Sequence, residues 1–544
     1  MPAVNLSHHL IARLRRTLAG LQYPDVPVTL ELPPSPDMGD RSCTVALALA
    51  KPLKRAPRQI AQEILQALPP DDPWIDRVEI AGPGYLNFFW SREALRQVLR
   101  GLRESGPDYG SSDLGAGERR LFEFVSANPT GPLNIVSARA AAVGDSLVRV
   151  QRKIGFDAQS EFYVNDAGRQ VDLLGESVRA RLREALGRPL EIPEGGYHGI
   201  YVRDLAEQAR QEFPGDPLTA PARDLGRWTA QRIVAGQRET LEAYGVAYHR
   251  WFFESEIHQS GAHWQTLERL KQEGHIYEKD GALYFRSSAF GDDDDRVVVT
   301  SDGRPTYFLP DIAYHLDKAG RGYAKAVDLW GPDHHGHVGR MQAAMRALGL
   351  PVEFLEVVIV QQVNLLRGGQ PVKMSKRTGE MITMDELIEE VGSDAARQIF
   401  LSRRWSSPLD FDIEMAKDRS EKSPIFYVQY AHARISSIFR KAGDGEELQE
   451  SDLEALHAPE EWDLLRSLSL FPDAVETAGL QLAPHRINTY LSDLATSFHR
   501  FYHECRVLSD DPALTRARLA LCRAVQVVLK EGLRLMGMSA PDQM

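Results

Sequence analysis

Apolar positions in the first part of the chain follow two periodicities. Residues 6–21 and 57–68 carry apolar side chains at helical spacing, which predicts two helices. Residues 43–50 and 78–89 predict strands, and Gly and Pro near the start of the second one predict a turn that leads into it. Residues 1–110 therefore predict a small α+β domain.

Strand-like and helix-like stretches alternate through the middle of the chain. Apolar strands are predicted at 120–125 and 326–330, and each is followed by a helical stretch. This alternation is typical of a parallel sheet with crossover helices, so residues 118–400 predict an α/β domain. Long, charged helices interrupt the alternation and predict an insertion at about 176–295.

The last part of the chain is predicted to be helical throughout. Pro484 suits the first turn of one helix, and residues 519–536 predict another. The helix after Pro484 carries an apolar stripe at i, i+3, i+4 and i+7 spacing, formed by Ile487, Tyr490, Leu491, Leu494, Phe498, Phe501 and Tyr502. We interpret this stripe as core packing rather than as a base-stacking surface, and residues 420–544 as an all-α bundle.

Composition and charge narrow the class of protein. The chain has 544 residues, of which 43% are hydrophobic and 26% charged, so it is predicted to fold into globular domains. At ~100–200 residues per domain, about three domains are expected. A net charge of −12 argues against a protein that coats nucleic acid non-specifically, although it leaves room for a specific nucleic-acid enzyme. The first 60 residues carry eight Lys and Arg against four Asp and Glu, a local charge of +4.

Three cysteines and the absence of long apolar runs bear on the compartment. Cys43, Cys505 and Cys522 are odd in number and widely spaced, which excludes a disulfide framework and a paired-cysteine metal site. No run reaches the ~18 apolar residues that a membrane span requires. The sequence therefore predicts a cytoplasmic protein without a membrane partner.

The first segment with candidate chemistry joins a predicted strand to a predicted helix at 126–137. Gly131 allows close approach to the backbone, and Pro129 and Pro132 stiffen the turn. A helix that begins at the carboxyl end of a parallel strand offers free N–H groups to phosphate. By itself this pattern fits a simple Pro/Gly connector equally well.

The second segment is a short basic loop flanked by glycines. Lys373, Lys376 and Arg377 lie within five residues, between Gly368-Gly369 and Gly379. Such a loop can close over polyphosphate, where lysine neutralises the charge that develops during nucleotidyl transfer. Most short basic runs are only solvated surface. The interpretation of this loop therefore depends on its exact amino-acid sequence.

Lys-Met-Ser-Lys at 373–376 resembles the second signature of class I aminoacyl-tRNA synthetases. Seven further stretches, in the same order, resemble bacterial-type arginyl-tRNA synthetases; they lie at 123–130, 163–170, 306–314, 331–337, 427–434, 490–495 and 539–544. The resemblance implies a multidomain fold with a Rossmann-like catalytic domain that carries an insertion. It also implies that residues 1–110 contact tRNA and that residues 420–544 bind the anticodon.

The resemblance implies the reaction as well. Such enzymes activate arginine with ATP to arginyl-adenylate and pyrophosphate, and then transfer arginine to the 3′ end of its tRNA. ATP is a substrate, Mg²⁺ is expected to arrive with it through the phosphates, and no dedicated protein metal site is expected. The resemblance also implies a monomer.

Site residues carry over by position. The residues implied for arginine are Glu123, Ser126, Asn128, Tyr307, Asp311 and His334. Those implied for ATP are Thr130, Gly131, Pro132, Leu133, Asn134, Ser137, Asp333, His337, Lys373, Met374 and Lys376. Those implied for catalysis are Lys373, Ser375, Lys376, Asn134 and Ser137.

Two of these assignments have alternatives. By composition, the three histidines beside Asp333 form a possible metal-ligand cluster, whereas the resemblance favours contact with nucleotide and substrate. Tyr430 and Arg434 are implied to bind tRNA by stacking on or pairing with splayed bases. Inward packing of Tyr430 against the bundle is an equally open alternative.

The first signature departs from the family pattern. Asn134, Val136 and Ser137 stand where the family usually has His, Gly and His. Amide and hydroxyl groups still form hydrogen bonds, but they carry no positive charge, and losing one such donor typically costs ~3–4 kcal/mol of transition-state stabilisation.

Two hypotheses follow from this departure. We favour an active variant in which the basic loop compensates, over a paralogue that has lost adenylation and binds RNA or amino acid. A small-molecule ligase would not need the two flanking domains, and a pure RNA-binding module would show no dependence on ATP.

Overall fold

An antiparallel sheet and four helices form the amino-terminal part of the protein. The computed structural model describes residues 5–372, 382–420, 423–443 and 448–544. The first elements are α1 (Leu6–Gly20), β1 (Leu30–Glu31), β2 (Arg41–Cys43), α2 (Val45–Leu53), α3 (Pro57–Ala67), β3 (Ile75–Ala81), β4 (Tyr85–Trp90) and α4 (Arg92–Ser105). The strands pair in the order β1-β2-β4-β3, and α1 and α3 confirm the two predicted helices.

The predicted strand at 43–50 is wrong, because most of it belongs to helix α2. Only Cys43 lies in a strand, at the end of β2. The following residues alternate Ala and Leu, which are among the strongest helix formers. As a helix they bury Val45, Ala46 and Leu49 on one face. An apolar run this short fits either periodicity, and packing decides between them.

The middle of the chain contains a five-stranded parallel sheet. Its first elements are β5 (Arg119–Glu123), α5 (Ile135–Lys153), β6 (Asp157–Val164), α6 (Arg169–Ala185), α7 (Ile200–Glu212), α8 (Ala222–Ala243), β7 (Arg250–Phe253), α9 (Glu254–Ser260) and α10 (Ala262–Gln272). They continue with β8 (Ile276–Lys279), β9 (Ala282–Phe285), β10 (Arg296–Val299), α11 (Phe308–Gly320), β11 (Lys325–Trp330), α12 (His335–Ala347) and β12 (Leu355–Ile359). The sheet order is β12-β11-β5-β6-β7, with every neighbour parallel.

Three helices and a separate small sheet interrupt the strands of this parallel sheet along the sequence. In the sequence, helices α6, α7 and α8 lie between β6 and β7. They share an apolar core of their own. Strands β8, β9 and β10 form an antiparallel sheet. The stretch predicted as an insertion, 176–295, thus also contains β7, an edge strand of the central sheet.

A smaller sheet and a helical bundle complete the chain. The next elements are β13 (Val363–Arg367), β14 (Gln370–Pro371), α13 (Met384–Val391), α14 (Ser393–Phe400), β15 (Leu409–Asp412) and α15 (Ile413–Ala416). The bundle consists of α16 (Pro424–Ala442), α17 (Pro459–Ser469), α18 (Phe471–Leu480), α19 (His485–Glu504) and α20 (Pro512–Leu535). The apolar stripe of α19 is buried as predicted, except for Tyr502, which is 37% exposed. Among the described residues, no helix is long and apolar enough to cross a bilayer.

Buried arginines join the regions. Arg139 of α5 donates to the carbonyl oxygens of Gln361 and Ser407, each at 2.8 Å. Arg397 of α14 is fully buried, forms an ion pair with Asp145 of α5 and donates to carbonyl oxygens in the segment after α8 and just after α20. A buried guanidinium that satisfies several carbonyl groups fixes the relative position of the elements that supply them.

Candidate active site

The predicted site residues lie at the carboxyl ends of two neighbouring strands. Strands β5 and β11 are adjacent in the sheet, and the chain leaves β5 toward β6 and β7 before returning to β11 and β12 on the other side. This reversal of strand order opens a crevice, which is where open α/β sheets bind ligands. The turn at 124–134 follows β5, and the segment that begins at Gly331 follows β11.

The backbone just after β5 is strained. Val125 has φ of 70° and Ser126 has φ of 40°, in the left-handed region that a β-branched residue seldom adopts. The Ser126 hydroxyl donates to Glu123 Oε1 at 2.8 Å and accepts from the Tyr163 backbone N–H at 3.1 Å. Strain of this kind persists where surrounding contacts hold it, often at functional sites.

A buried network of charged groups links the two strands. Lys318 of α11 donates to Glu123 Oε2 at 2.6 Å and to both carboxylate oxygens of Asp328 at 2.9 Å. His315, also on α11, is hydrogen-bonded through Nε2 to Asp328 Oδ2 at 2.7 Å. These partners make a fully buried lysine tolerable, because an unpaired buried charge is very costly.

The network continues to Asp311, a predicted arginine-binding residue. His337 Nε2 lies 2.6 Å from Asp311 Oδ2, and His315 Nδ1 lies 3.2 Å from Oδ1 of the same carboxylate. The Asp311 side chain keeps 27% of its surface exposed, so it can still meet a ligand. Asp311 and His337, predicted for different substrates, are therefore in direct contact.

The electrostatics of the network keep the Asp311 carboxyl group ionised. Burial and Lys318 would lower the pKa of His315, but Asp328 and Asp311 outweigh them and raise it to about 9. Burial alone would raise the pKa of Asp311, but hydrogen bonds from His315 and His337 lower it well below its usual range. Asp311 is therefore ionised, and an ionised carboxylate that stays partly exposed favours a cationic ligand.

The pKa values of the more deeply buried groups show how the pairs are balanced. Burial opposes the charge of Lys318, but Asp328 and Glu123 outweigh it and raise the lysine pKa. For Asp328, burial is outweighed by Lys318 and His315, which lower its pKa. Burial and the charge of Asp328 raise the pKa of Glu123, opposed by Lys318.

The off-pattern first signature forms the start of helix α5. Asn134 is the N-cap, and its side-chain oxygen accepts from the backbone N–H groups of Val136 at 2.9 Å and Ser137 at 3.2 Å. Its amide oxygen therefore has a structural partner already. Val136 is 39% exposed, and its side chain projects from the first turn of the helix.

The segment that leads into α13 lies directly against this signature. Thr383 forms an antiparallel bridge with Asn134, and the Met384 N–H donates to the Leu133 carbonyl at 2.8 Å. The predicted residues Lys373, Met374, Ser375 and Lys376 lie outside the described residues. The chain emerges from that stretch beside the predicted ATP-binding turn.

The remaining predicted residues of this region border the crevice. Tyr307 stands just before α11, is 70% exposed and accepts from Arg340 at 3.1 Å. Its ring centre lies 5.8 Å from that of His337. Asp333 and His334 are exposed at the end of β11. Asn128 is also exposed, on the turn after β5.

Among the described residues, no group of three or more His, Cys, Asp or Glu side chains is placed to hold a metal ion. The histidines near Asp333 do not converge: His337 turns toward Asp311, whereas His334 is exposed.

Tyr430 and Arg434 lie together on α16, away from this crevice. The Arg434 guanidinium stands 4.4 Å from the centre of the Tyr430 ring and 4.7 Å from that of Tyr502 on α19. Phe426 stacks on Tyr430 at 6.1 Å between ring centres. Both predicted residues are half-buried, so this cluster packs against the bundle and also reaches its surface.

Sequence reasoning missed His315, Lys318 and Asp328. A signal was present, since Asp311, His315 and Lys318 recur at i, i+4 and i+7 along one face of an otherwise apolar helix. It also missed Tyr201 and Gln237, which hydrogen-bond to the turn after β5. These two residues lie in α7 and α8, where no motif distinguished them.

Comparison with known proteins agrees with this arrangement. Residues 6–90 match a family model described as the arginyl tRNA synthetase N terminal domain, and residues 428–544 match the DALR anticodon binding domain. The structure also resembles Thermus thermophilus arginyl-tRNA synthetase, with a TM-score of 0.81 at 24% identity over 99% of this chain and 100% of that one, a likeness of fold.

Curated relatives match nearly the whole sequence. An arginine–tRNA ligase of Desulforudis audaxviator is 46% identical over 528 residues, which cover 95% of this chain and 94% of the relative. The arginine–tRNA ligase of a Listeria monocytogenes strain is 44% identical over 547 residues, which cover 98% of each chain. On these full-length matches, the chain belongs to the arginyl-tRNA synthetase family of aminoacyl-tRNA ligases.

Proposed function

We propose that the chain activates arginine with ATP to arginyl-adenylate, releasing pyrophosphate, and then transfers arginine to the 3′ end of its tRNA. The observation that carries this proposal is the carboxylate-rich network at the reversal point of the parallel sheet. Its one partly exposed carboxylate, Asp311, is held ionised by two histidines. An ionised carboxylate of fixed orientation suits the planar guanidinium group of arginine.

The arginine side chain is proposed to lie between Asp311 and Tyr307, with His334 beside it. Glu123, Ser126 and Asn128 would then meet the α-amino and carboxyl ends. Ser126 is suited to this role because the strained backbone and the Glu123 hydrogen bond fix its hydroxyl. No covalent intermediate with the enzyme is required, so these residues act by binding and orientation.

ATP is proposed to bind against the turn at 130–133 and the start of α5. Free N–H groups in the first turn of a helix favour phosphate, and Asn134 and Ser137 add amide and hydroxyl groups. Asp333 and His337 border the same crevice from β11. Lys373, Met374, Ser375 and Lys376 are proposed to close over the polyphosphate, with lysine charge replacing that of the missing histidines.

The turn itself offers amide and hydroxyl groups but no carboxylate between 130 and 137. We therefore propose that Mg²⁺ enters with ATP and is held mainly by phosphate oxygens. Residues 1–110, 118–400 and 420–544 are proposed as the tRNA-contacting, catalytic and anticodon-binding units. A cytoplasmic monomer is the simplest form for this work.

The cluster of Tyr430 and Arg434 is proposed to receive anticodon bases. A guanidinium between two tyrosine rings presents both a charge and flat faces, which suits unstacked RNA bases.

A charging assay with purified protein, cognate tRNA and ATP across several amino acids tests the proposal. Of the amino acids tested, we expect only arginine to be attached to the tRNA. Lys376→Ala should then lower kcat by a far larger factor than it raises the KM for arginine, because the Lys376 charge is proposed to act on the transition state. If the protein binds arginine or RNA but forms no arginyl-tRNA, the alternative of a paralogue without adenylation activity replaces this proposal.

A further inference from the structure

Helix α8, which lies between β6 and β7 in the sequence, contacts both the turn proposed to bind ATP and the start of α13. Gln237 is 2% exposed, and its side-chain N–H group donates to the carbonyl oxygens of Asn128 at 3.2 Å and Gly131 at 2.9 Å. One turn later, the Thr240 hydroxyl lies 2.9 Å from Asp385 Oδ2. Asp385 stands in the first turn of α13, four residues after the undescribed stretch 373–381.

Helix α7 adds a third contact to the same turn. The Tyr201 hydroxyl donates to the Thr130 carbonyl at 2.6 Å. It also stands so close to Gly131 that a Cβ added there would lie 3.2 Å from the hydroxyl oxygen. Three carbonyl groups in four residues, those of Asn128, Thr130 and Gly131, therefore point toward these helices. Because each peptide unit is planar, fixing its carbonyl fixes the orientation of the whole unit.

The helices that supply these donors form a firm support. Gly175 of α6 and Gly226 of α8 allow the two backbones to pack closely, since an added Cβ would lie 2.0 Å from a carbonyl oxygen of the facing helix segment at either position. Leu174, Val202 and Leu225 bury apolar surface in the core that α6, α7 and α8 share. A close-packed unit of this kind holds its polar side chains in fixed positions.

The turn and the segment that leads into α13 also touch each other, through the bridge between Asn134 and Thr383 and the hydrogen bond from the Met384 N–H to the Leu133 carbonyl. Gln237 and Thr240 are one helical turn apart and reach one segment each. The spacing of the two segments is thus set both by direct contact and by a common helix behind them.

We propose that α7 and α8 position the ATP site: Tyr201 and Gln237 hold the turn at 128–131, and Thr240 holds the start of α13. These are positioning residues, since they act through backbone groups and Asp385. The inference rests on the proposed ATP site and deepens it. It gives α7 and α8 a role in nucleotide binding, although no motif in their sequence indicates one.

The test uses hydroxyl deletions in the full-length protein, each with a matched control. Tyr201→Phe removes the hydrogen bond to Thr130, and Tyr244→Phe removes a buried hydroxyl that has no partner among the described residues. Thr240→Val removes the contact with Asp385. Thr229→Val is its control, because the Thr229 hydroxyl donates to the Leu225 carbonyl within α8 itself.

We expect Tyr201→Phe to raise the KM for ATP about three- to tenfold, the effect of one lost hydrogen bond, and to leave the KM for arginine within about twofold. Thr240→Val should lower kcat/KM for ATP by a similar factor. The controls should match the wild type. Gln237→Met removes two hydrogen bonds to the turn and should give the largest loss.

Each other outcome contradicts either this inference or the proposed function on which it rests. Variants that match their controls in ATP kinetics would show that the hydrogen bonds are structural only. Equal rises in the KM for ATP and for arginine would indicate general loosening of the crevice. A wild-type protein that forms no arginyl-tRNA would contradict the proposed function, whereas an active wild type with unaffected variants would contradict this inference alone.

Discussion

The surroundings of the Asp311 carboxylate suit the cationic ligand that we propose for it. Its two oxygens face His337 and His315, and its pKa lies well below the usual range because these hydrogen bonds outweigh burial. The group is therefore ionised at every pH at which the protein is expected to work. It keeps enough exposed surface for a guanidinium to form further charge-assisted hydrogen bonds.

Replacing Asp311 with Asn should weaken arginine binding selectively. The change keeps the shape but removes the charge, and hydrogen bonds to charged groups contribute about 1.5–3 kcal/mol. We expect the KM for arginine to rise about 10- to 100-fold, with a much smaller change in the KM for ATP. Aminoacylation rates at varied arginine and ATP measure both. Asp317→Asn on the same helix is the control, because Asp317 pairs with Arg321 instead; an unchanged KM for arginine in Asp311→Asn would remove Asp311 from the binding site.

His315 should make stability depend on pH in the alkaline range. Its pKa is raised from 6.5 to about 9 by Asp328 and Asp311, against burial and Lys318. A raised pKa means that the native state binds the proton more tightly than the unfolded state does. The stabilisation is complete below pH 6.5 and is lost as the pH rises through about 9.

The size of this effect is on the order of 3 kcal/mol between the two ends of that range. Urea unfolding of the wild type and of His315→Asn, followed across the range, measures it. The variant should lack the alkaline decline that the histidine contributes, while other groups titrate alike in both proteins. Parallel curves for the two proteins would mean that His315 is not protonated in the native state.

At the scale of the element, helix α5 carries the off-pattern signature as its own cap. Asn is among the best N-cap residues, and Asn134 satisfies two backbone donors that a helix start otherwise leaves free. Asn134 thus gives the helix a stable start without contributing a charge. The cap and the proposed contact with ATP phosphate therefore fall on the same side chain.

Two substitutions of Asn134 separate these roles. Asn134→Asp keeps the cap, so the free energy of unfolding should stay within about 0.5 kcal/mol, but its negative charge should reduce kcat/KM for ATP at least about tenfold. Asn134→Ala should lose about 1 kcal/mol of stability. Thermal melts and ATP-dependent aminoacylation give both quantities. Wild-type kinetics in Asn134→Asp would show that the residue is a cap and nothing more.

Elements with a strong apolar stripe were predictable, and those decided by packing were not. The spacing of Ile487, Leu491 and Phe498 encodes a buried helix face, and all three are buried in α19. Residues 43–50 carry a short apolar run that suits a strand or a helix, and only contact with the rest of the domain selects α2.

The site was predictable only in part for a related reason. Its motif residues follow strands, where ligands bind, so their positions were open to prediction. Lys318 and Asp328 are charged groups inside apolar elements, and their burial is acceptable only because each meets the other. Because this ion pair joins α11 to β11, the sequence pattern of neither element predicts it.

At the scale of the whole molecule, one buried arginine joins three regions. Arg397 of α14 pairs with Asp145 of α5, and it donates to the Tyr244 carbonyl at 3.2 Å and to the Met536 carbonyl at 2.8 Å. Those carbonyls belong to the segment after α8 and to the end of the helical bundle. The contact therefore couples the bundle that is proposed to bind the anticodon to the helix that begins at the proposed ATP site.

Arg397→Met should uncouple the bundle from the rest of the protein. The change nearly keeps the length of the side chain but removes the hydrogen bonds to the Tyr244 and Met536 carbonyls. Among the described residues, Asp145 then keeps only Arg149, at 2.9 Å, as an ion-pair partner. Breaking a buried ion pair on one side typically costs about 3–5 kcal/mol. We expect calorimetry to show a lower first transition that separates from a second one, because the ion pair and the hydrogen bonds through which Arg397 joins the bundle to α5 and to the segment after α8 are lost. Arg403→Met, at an exposed position six residues further on, is the control and should leave the wild-type profile unchanged. A single transition at the wild-type temperature in Arg397→Met would show that apolar contacts, rather than Arg397, hold the bundle to the rest of the protein.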